Sequence, residues 1–162
     1  MGIMKKNDPG ILVVDDNRDL TDTLVRFLSK LGYQALPAYD GKEGLTKFEQ
    51  GDFQIVITDL NMPKMDGMKL LEAIKKQDSD VIVIILTGAG SIESAVQAIK
   101  CGAYDYVSKP VKLEEIELIV KRAMEKHANF RQMRMFRGMF LFVLFSIPIW
   151  ILFGVLLILA WN

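Results

Sequence analysis

Five short apolar runs, each ending at polar or turn-forming residues and followed by a stretch with helical spacing, limit what this chain can fold into. The most telling run, Phe53 to Ile57, ends through Thr58 in Asp59. It then enters the loop Leu60-Asn61-Met62-Pro63-Lys64-Met65-Asp66-Gly67. A run that short and that apolar reads as a strand buried on both faces, as in a parallel sheet. The other four are Ile11 to Val14, ending in Asp15-Asp16-Asn17; Gln34 to Ala38; the β-branched Val81 to Leu86, ending in Thr87-Gly88; and Ala103 to Val107, ending in Ser108-Lys109-Pro110.

The stretches between them carry apolar residues at helical spacing. Leu20, Leu24, Phe27, Leu28 and Leu31 follow an N-cap at Asn17 and stop at Gly32. Leu45 and Phe48 follow Asp40-Gly41 and stop at Gly51. Met68, Leu70, Leu71 and Ile74 follow Asp66. Ile92, Ala95, Val96 and Ile99 follow a cap at Ser91 and stop at Gly102, and a fifth helix starts near Val111. Strands alternating with helices at this spacing predict an α/β fold, doubly wound around a five-stranded parallel sheet with right-handed crossovers. The expected strand order is 2-1-3-4-5, the flavodoxin-like arrangement, whose switch point lies between strands one and three.

Ligands of such a sheet sit at the carboxyl ends of its strands. Asp15, Asp16, Asp59, Thr87 and Lys109 are all delivered to that rim. Three carboxylates at close range disfavour one another's ionised form, and a hard divalent cation relieves them. Mg2+ suits an oxygen-only site and keeps waters that phosphate oxygens can replace. Asp15 and Asp16 are the candidates for holding it. Asp59 is then both ligand and nucleophile toward phosphorus, giving an acyl phosphate. The Thr87 hydroxyl and Lys109 would stabilise charge on the transferring oxygens, and Gly88 leaves their approach uncrowded.

The segments Val14-Asp15-Asp16, Asp59 through Gly67, Leu86-Thr87-Gly88 and Tyr104-Asp105-Tyr106-Val107-Ser108-Lys109-Pro110 occur in this order and spacing. With them, residues from about Ile11 to Ala128 resemble the receiver domain of two-component response regulators. The resemblance implies that Asp59 is the phosphoacceptor from a histidine kinase or phosphotransfer protein. It implies Mg2+ on Asp15, Asp16 and Asp59, with the backbone carbonyl of Asn61 as a further ligand. Thr87, Gly88 and Lys109 would contact the phosphoryl group, Thr87 and Tyr106 would form a switch, and the bond before Pro110 would be cis. Asn61 and Ala89 would flank the phosphate and tune its loss. Such a domain assists its own Mg-dependent aspartyl phosphorylation and dephosphorylation and is not a turnover enzyme. A phosphatase of the haloacid dehalogenase type fits poorly, because Asn61 stands where that chemistry needs a second aspartate as acid. A dinucleotide-binding domain fits poorly because no G-x-G-x-x-G follows the first strand.

Composition excludes several classes. The formal net charge of zero argues against a nucleic-acid partner. A single cysteine, Cys101, rules out an internal disulfide or a cysteine zinc site. The one histidine, His127, lies in a basic helical stretch and reads as a surface residue. Met1 to Gly10 is too short and polar for a signal peptide, and Lys6 stands where a myristoylation motif needs Ser or Thr.

Charge is unevenly placed: no Asp, Glu, Lys or Arg follows Arg137. Leu113 to Arg137 lacks Pro and Gly, and Leu113, Ile116, Val120, Ala123, His127 and Phe130 recur at three- and four-residue steps. The fifth helix is therefore expected to continue past the domain for about seven turns. Lys121, Arg122, Lys126, Arg131, Arg134 and Arg137 make this extension basic. Met139 to Trp161 is then uncharged and apolar, about 35 Å long as a helix against roughly 30 Å of hydrocarbon. A basic flank on its N-terminal side predicts a cytoplasmic start, with Trp161 at the far interface. Pro148 implies a kink; a re-entrant hairpin turning there, with Trp150 near the turn, is the alternative.

The expected organisation is a tail over 1–10, a receiver over 11–120, a basic helical linker over 121–138 and one transmembrane helix over 139–161. The expected function is a response regulator receiver, tethered as a C-terminal tail anchor on the cytoplasmic face of a bacterial-type membrane. It has no DNA-binding output domain and signals by phosphorylation-dependent contacts. Its partners would be the kinase or phosphotransfer protein, membrane lipid, and a membrane-protein target or a second copy met through helix four, strand five and helix five. A constitutive membrane scaffold and a fragment of a longer regulator are the alternatives.

Overall fold

The computed structural model describes residues 10–88 and 91–128. Among them, five parallel strands form one sheet: β1 (Gly10–Val14), β2 (Gln34–Ala38), β3 (Ile55–Asp59), β4 (Ile82–Thr87) and β5 (Asp105–Ser108). The order is β2-β1-β3-β4-β5, as the alternation of patterns predicts. The connecting helices are α1 (Arg18–Lys30), α2 (Gly41–Gln50), α3 (Gly67–Gln77) and α4 (Ile92–Lys100), and α5 covers 113–128 as far as the described residues extend.

Helices α1 to α4 each start at a side chain that accepts from an otherwise orphaned backbone N–H. Asn17, Asp40, Asp66 and Ser91 accept from Leu20, Glu43, Lys69 and Ser94, respectively. Gly32 and Gly102 carry the left-handed φ that turns the chain after α1 and α4.

Two cores flank the sheet, because alternate strand residues point to opposite faces. Ile11, Val13, Ile57, Ile84 and Leu86 pack with Leu24 and Leu28 of α1 and with Ile116, Ile119, Val120 and Ala123 of α5. Leu12, Val14, Val56, Val83 and Ile85 pack with Phe48, Leu70, Leu71, Ile74 and Ala98 from α2, α3 and α4. The central strands are buried along their whole length, which explains their near-continuous apolar runs. β2, an edge strand, accommodates Pro37 and exposes Leu36.

Three packing details differ from the sequence-based expectation. Phe53 and Ala103 precede their strands and serve the core from the entering loops. Ile119, three residues after Ile116 and four before Ala123 though not among the residues singled out above, is a core residue of α5. The apolar series of α4 faces water: Ile92 is 81% exposed, Val96 47% and Ile99 50%, while Ala98 is the buried residue of that helix. Among the described residues no helix is long and apolar enough to cross a membrane. The expected anchor, with Met139, Pro148, Trp150 and Trp161, lies outside the described residues.

Candidate functional site

The sheet order places β1 beside β3, so two acidic strand ends become neighbours. Carboxylate oxygens of Asp15, Asp16 and Asp59 lie within 4.8 Å of one another. Asp15 and Asp59 are buried, whereas Asp16 is exposed at the mouth. Lys109 reaches in from the end of β5, with Nζ 2.7 Å from Asp15 Oδ2 and 2.8 Å from Asp59 Oδ1. One ammonium against three carboxylates leaves the pocket negative.

The backbone holds both buried acids in place. Asn17 N donates to Asp15 Oδ1 at 2.9 Å, and Asn61 N donates to Asp59 Oδ2 at 3.0 Å. The Thr21 hydroxyl, buried beneath α1, reaches Asp15 O at 3.0 Å. Burial is the largest influence on Asp59 and pushes its carboxyl above the ordinary value; Lys109 opposes this, and the neighbouring Asp15 adds to it. Burial also acts against the charged form of Lys109, but hydrogen bonds and attraction from Asp15 and Asp59 together raise its pKa. The ammonium is therefore secure, while Asp59 as an anion is under-compensated. An all-oxygen donor set with excess negative charge fits a hard divalent cation.

Thr87 ends β4, buried, in register with Ser108. Lys109 N donates to Thr87 O at 2.6 Å, tying the two strand ends together. The Lys109–Pro110 peptide is cis. Among the described residues, a Cβ added at Gly88 would meet only Lys109 Cδ, at 3.9 Å. Tyr106 pairs with Ile85 in register, which puts it on the same sheet face as Thr87. It is half-buried, and its hydroxyl lies 2.9 Å from Ser94 Oγ on α4.

The loop after Asp59 is clamped from two sides. Gly67 lies so close to the end of β3 that an added Cβ would stand 2.1 Å from Asp59 O. Lys64, at φ 65°, turns its ammonium onto Asp40 at the start of α2. Gly41 likewise has no room for a side chain, since Met65 O would be 2.2 Å away. These contacts set the path of Leu60 and Asn61 beside the acid.

The described geometry thus gathers Asp15, Asp16, Asp59 and Lys109 in one pocket, with Thr87 and Gly88 at its rim and the Asn61 amide on Asp59. A sequence-family model of the response regulator receiver domain matches residues 11–121.

The chain belongs to the response regulator receiver family.

The receiver is 35% identical to Regulatory protein AtoC of Escherichia coli (strain K12) over 124 residues, 76% of this chain and 27% of that protein. A crystal structure of a response regulator receiver domain protein from Clostridium thermocellum superposes with a TM-score of 0.72 at 35% identity, covering 75% of this chain and 98% of that one. The solution structure of the beryllofluoride-activated NtrC4 receiver domain dimer gives 0.70 at 36%, covering 73% and 98%. The chain spans from about a quarter to about half of the curated relatives it matches.

Two contributors to the site carry no motif in the sequence: Thr21 reads as one more polar residue on α1 and Ser94 as a helix-surface serine. Lys64 lies within the Asp59–Gly67 segment, but its pairing with Asp40 carries no signal there.

Proposed function

We propose that this receiver accepts a phosphoryl group on Asp59 from the phosphohistidine of a kinase or phosphotransfer protein. A carboxylate oxygen of Asp59 attacks phosphorus, the phosphorus–nitrogen bond breaks, and the electron pair leaves with the imidazole. The observation that carries the reading is the meeting of Asp15, Asp16, Asp59 and Lys109 at the switch point of the sheet. Asp15, Asp16 and Asp59, with the Asn61 carbonyl, would hold Mg2+, whose charge would balance the phosphoryl oxygens. Lys109 and the Thr87 hydroxyl stabilise those oxygens, and Gly88 leaves room for them. Thr87 and Tyr106 share a sheet face, which suits a switch between the acceptor and α4. The test is labelling of the full chain by a small phosphodonor. Label should require Mg2+ and fall to background in Asp59→Asn; label that persists in that variant would place the acceptor elsewhere.

The output is read as contact, through α4, β5 and α5, with a second copy or a membrane protein. Exposed Ile92, Val96, Ile99 and Leu118 support a surface of this kind. The NtrC4 receiver is a dimer in its activated form. Attachment to the cytoplasmic face of a membrane is supported by the basic stretch up to Arg137 and the uncharged run from Met139 to Trp161. A second reading, that the receiver governs a further output region, is favoured by the greater length of its curated relatives.

A further inference from the structure

Ser94 sits on the first turn of α4, half-buried, with its Oγ 2.8 Å from Ser91 O and 2.9 Å from the Tyr106 hydroxyl. A carbonyl only accepts, so the single serine proton is committed to Ser91, and Tyr106 must donate its own. A directed chain therefore runs from Tyr106 on β5 to Ser94 Oγ and on to Ser91 O. Ser91 also caps α4, its Oγ accepting from Ser94 N at 3.2 Å. The ring of Tyr106 is thus tied to the first turn of α4.

We propose that Ser94 is the positioning residue that holds Tyr106 in the orientation seen here, with its hydroxyl on α4. The chain is satisfied only while the phenol points at α4. When the ring leaves, the Ser94 oxygen loses its donor. That oxygen borders a groove of about 480 Å³ between α3 and α4, lined also by Leu60, Asn61 and Met68. Water there can replace the phenol, so the hold is a bias and not a lock. A neutral hydrogen bond of this kind shifts a two-state ratio by about 2- to 10-fold. The consequence for signalling rests on the reading of Asp59 as phosphoacceptor, but the hold itself belongs to the unphosphorylated chain.

The test measures the χ1 rotamer ratio of residue 106 in the full, unphosphorylated chain by carbon-13 scalar couplings. Ser94→Ala should reduce the dominance of the α4-facing rotamer about 2- to 10-fold, and Ser94→Thr, which keeps the hydroxyl, should retain most of it. Tyr106→Phe removes the donor from the other end and should reproduce the Ser94→Ala ratio. An unchanged ratio in both Ser94→Ala and Tyr106→Phe overturns the proposal, as does a Ser94→Thr ratio equal to that of Ser94→Ala. Phosphodonor labelling of the wild-type chain, run alongside, decides the acceptor reading separately, because the rotamer ratio needs neither Mg2+ nor phosphate.

Discussion

Asp40 stands outside the acidic pocket yet helps to place it. Its Oδ1 accepts from Glu43 N at 2.9 Å and caps α2, while its other oxygen pairs with Lys64 from the loop that carries Asn61. Hydrogen bonds, the one from Lys64 foremost, hold its carboxyl below the ordinary value. A carboxyl with a depressed folded pKa adds stability above its unfolded pKa and loses it as pH falls through the folded one. Asp40→Ala should therefore cost about 0.5–2 kcal/mol at neutral pH, the range for a lost N-cap. The deficit should shrink as the buffer is taken below the usual carboxylate range. Asp40→Asn keeps the cap and should lose less. Urea unfolding across a pH series checks all three statements. Gly67 gives a sharper residue-scale prediction. Its missing Cβ would press on backbone at Asp59 and Leu60, not on a flexible side-chain end. Gly67→Ala should destabilise by about 1–3 kcal/mol, the usual range for overpacking, and should slow phosphodonor labelling. Wild-type stability in that variant would mean the loop yields freely.

Among the elements, α3 and α4 show why an apolar pattern alone does not locate a core. Both carry apolar residues at helical spacing, and both pack on the same sheet face. α3 buries Leu70, Leu71 and Ile74 completely. α4 meets the sheet through Ala98 and leaves Ile92, Val96 and Ile99 in water. Ile74→Ala should accordingly cost about 2–5 kcal/mol. Ile92→Ala should stay within about 0.5 kcal/mol. Denaturant midpoints of the two variants test the contrast. An Ile92→Ala loss as large as that of Ile74→Ala would show that α4 is turned the other way in solution. The periodicity of α4 was legible; its facing was not, because facing depends on which neighbours already fill the space over β4 and β5. Ile119, by contrast, lies three residues after Ile116 and four before Ala123, so its place in the core was open to the same spacing argument.

At the scale of the whole molecule, charge is segregated along the chain, ending at Arg137. In the membrane-attachment reading, the full chain should co-sediment with vesicles containing anionic lipid and resist extraction at high salt. Removing residues 139–161 should release it to the supernatant. Retention of the shortened chain would assign attachment to the receiver or the basic stretch instead.

The local pattern of the sequence was enough to determine the alternating fold, the strand order and the acids that meet at one rim. Strand burial, helix caps and strand-end chemistry are written within a few residues of one another, and parallel topology carries them to a common edge. Only the tertiary structure decided that Lys109 bridges two of those acids, that Lys64 reaches Asp40, that α4 shows its apolar side to water and that the Tyr106 hydroxyl meets Ser94. Each of these joins residues distant in the chain through contacts that exist only once the sheet and its two layers of helices have closed on one another.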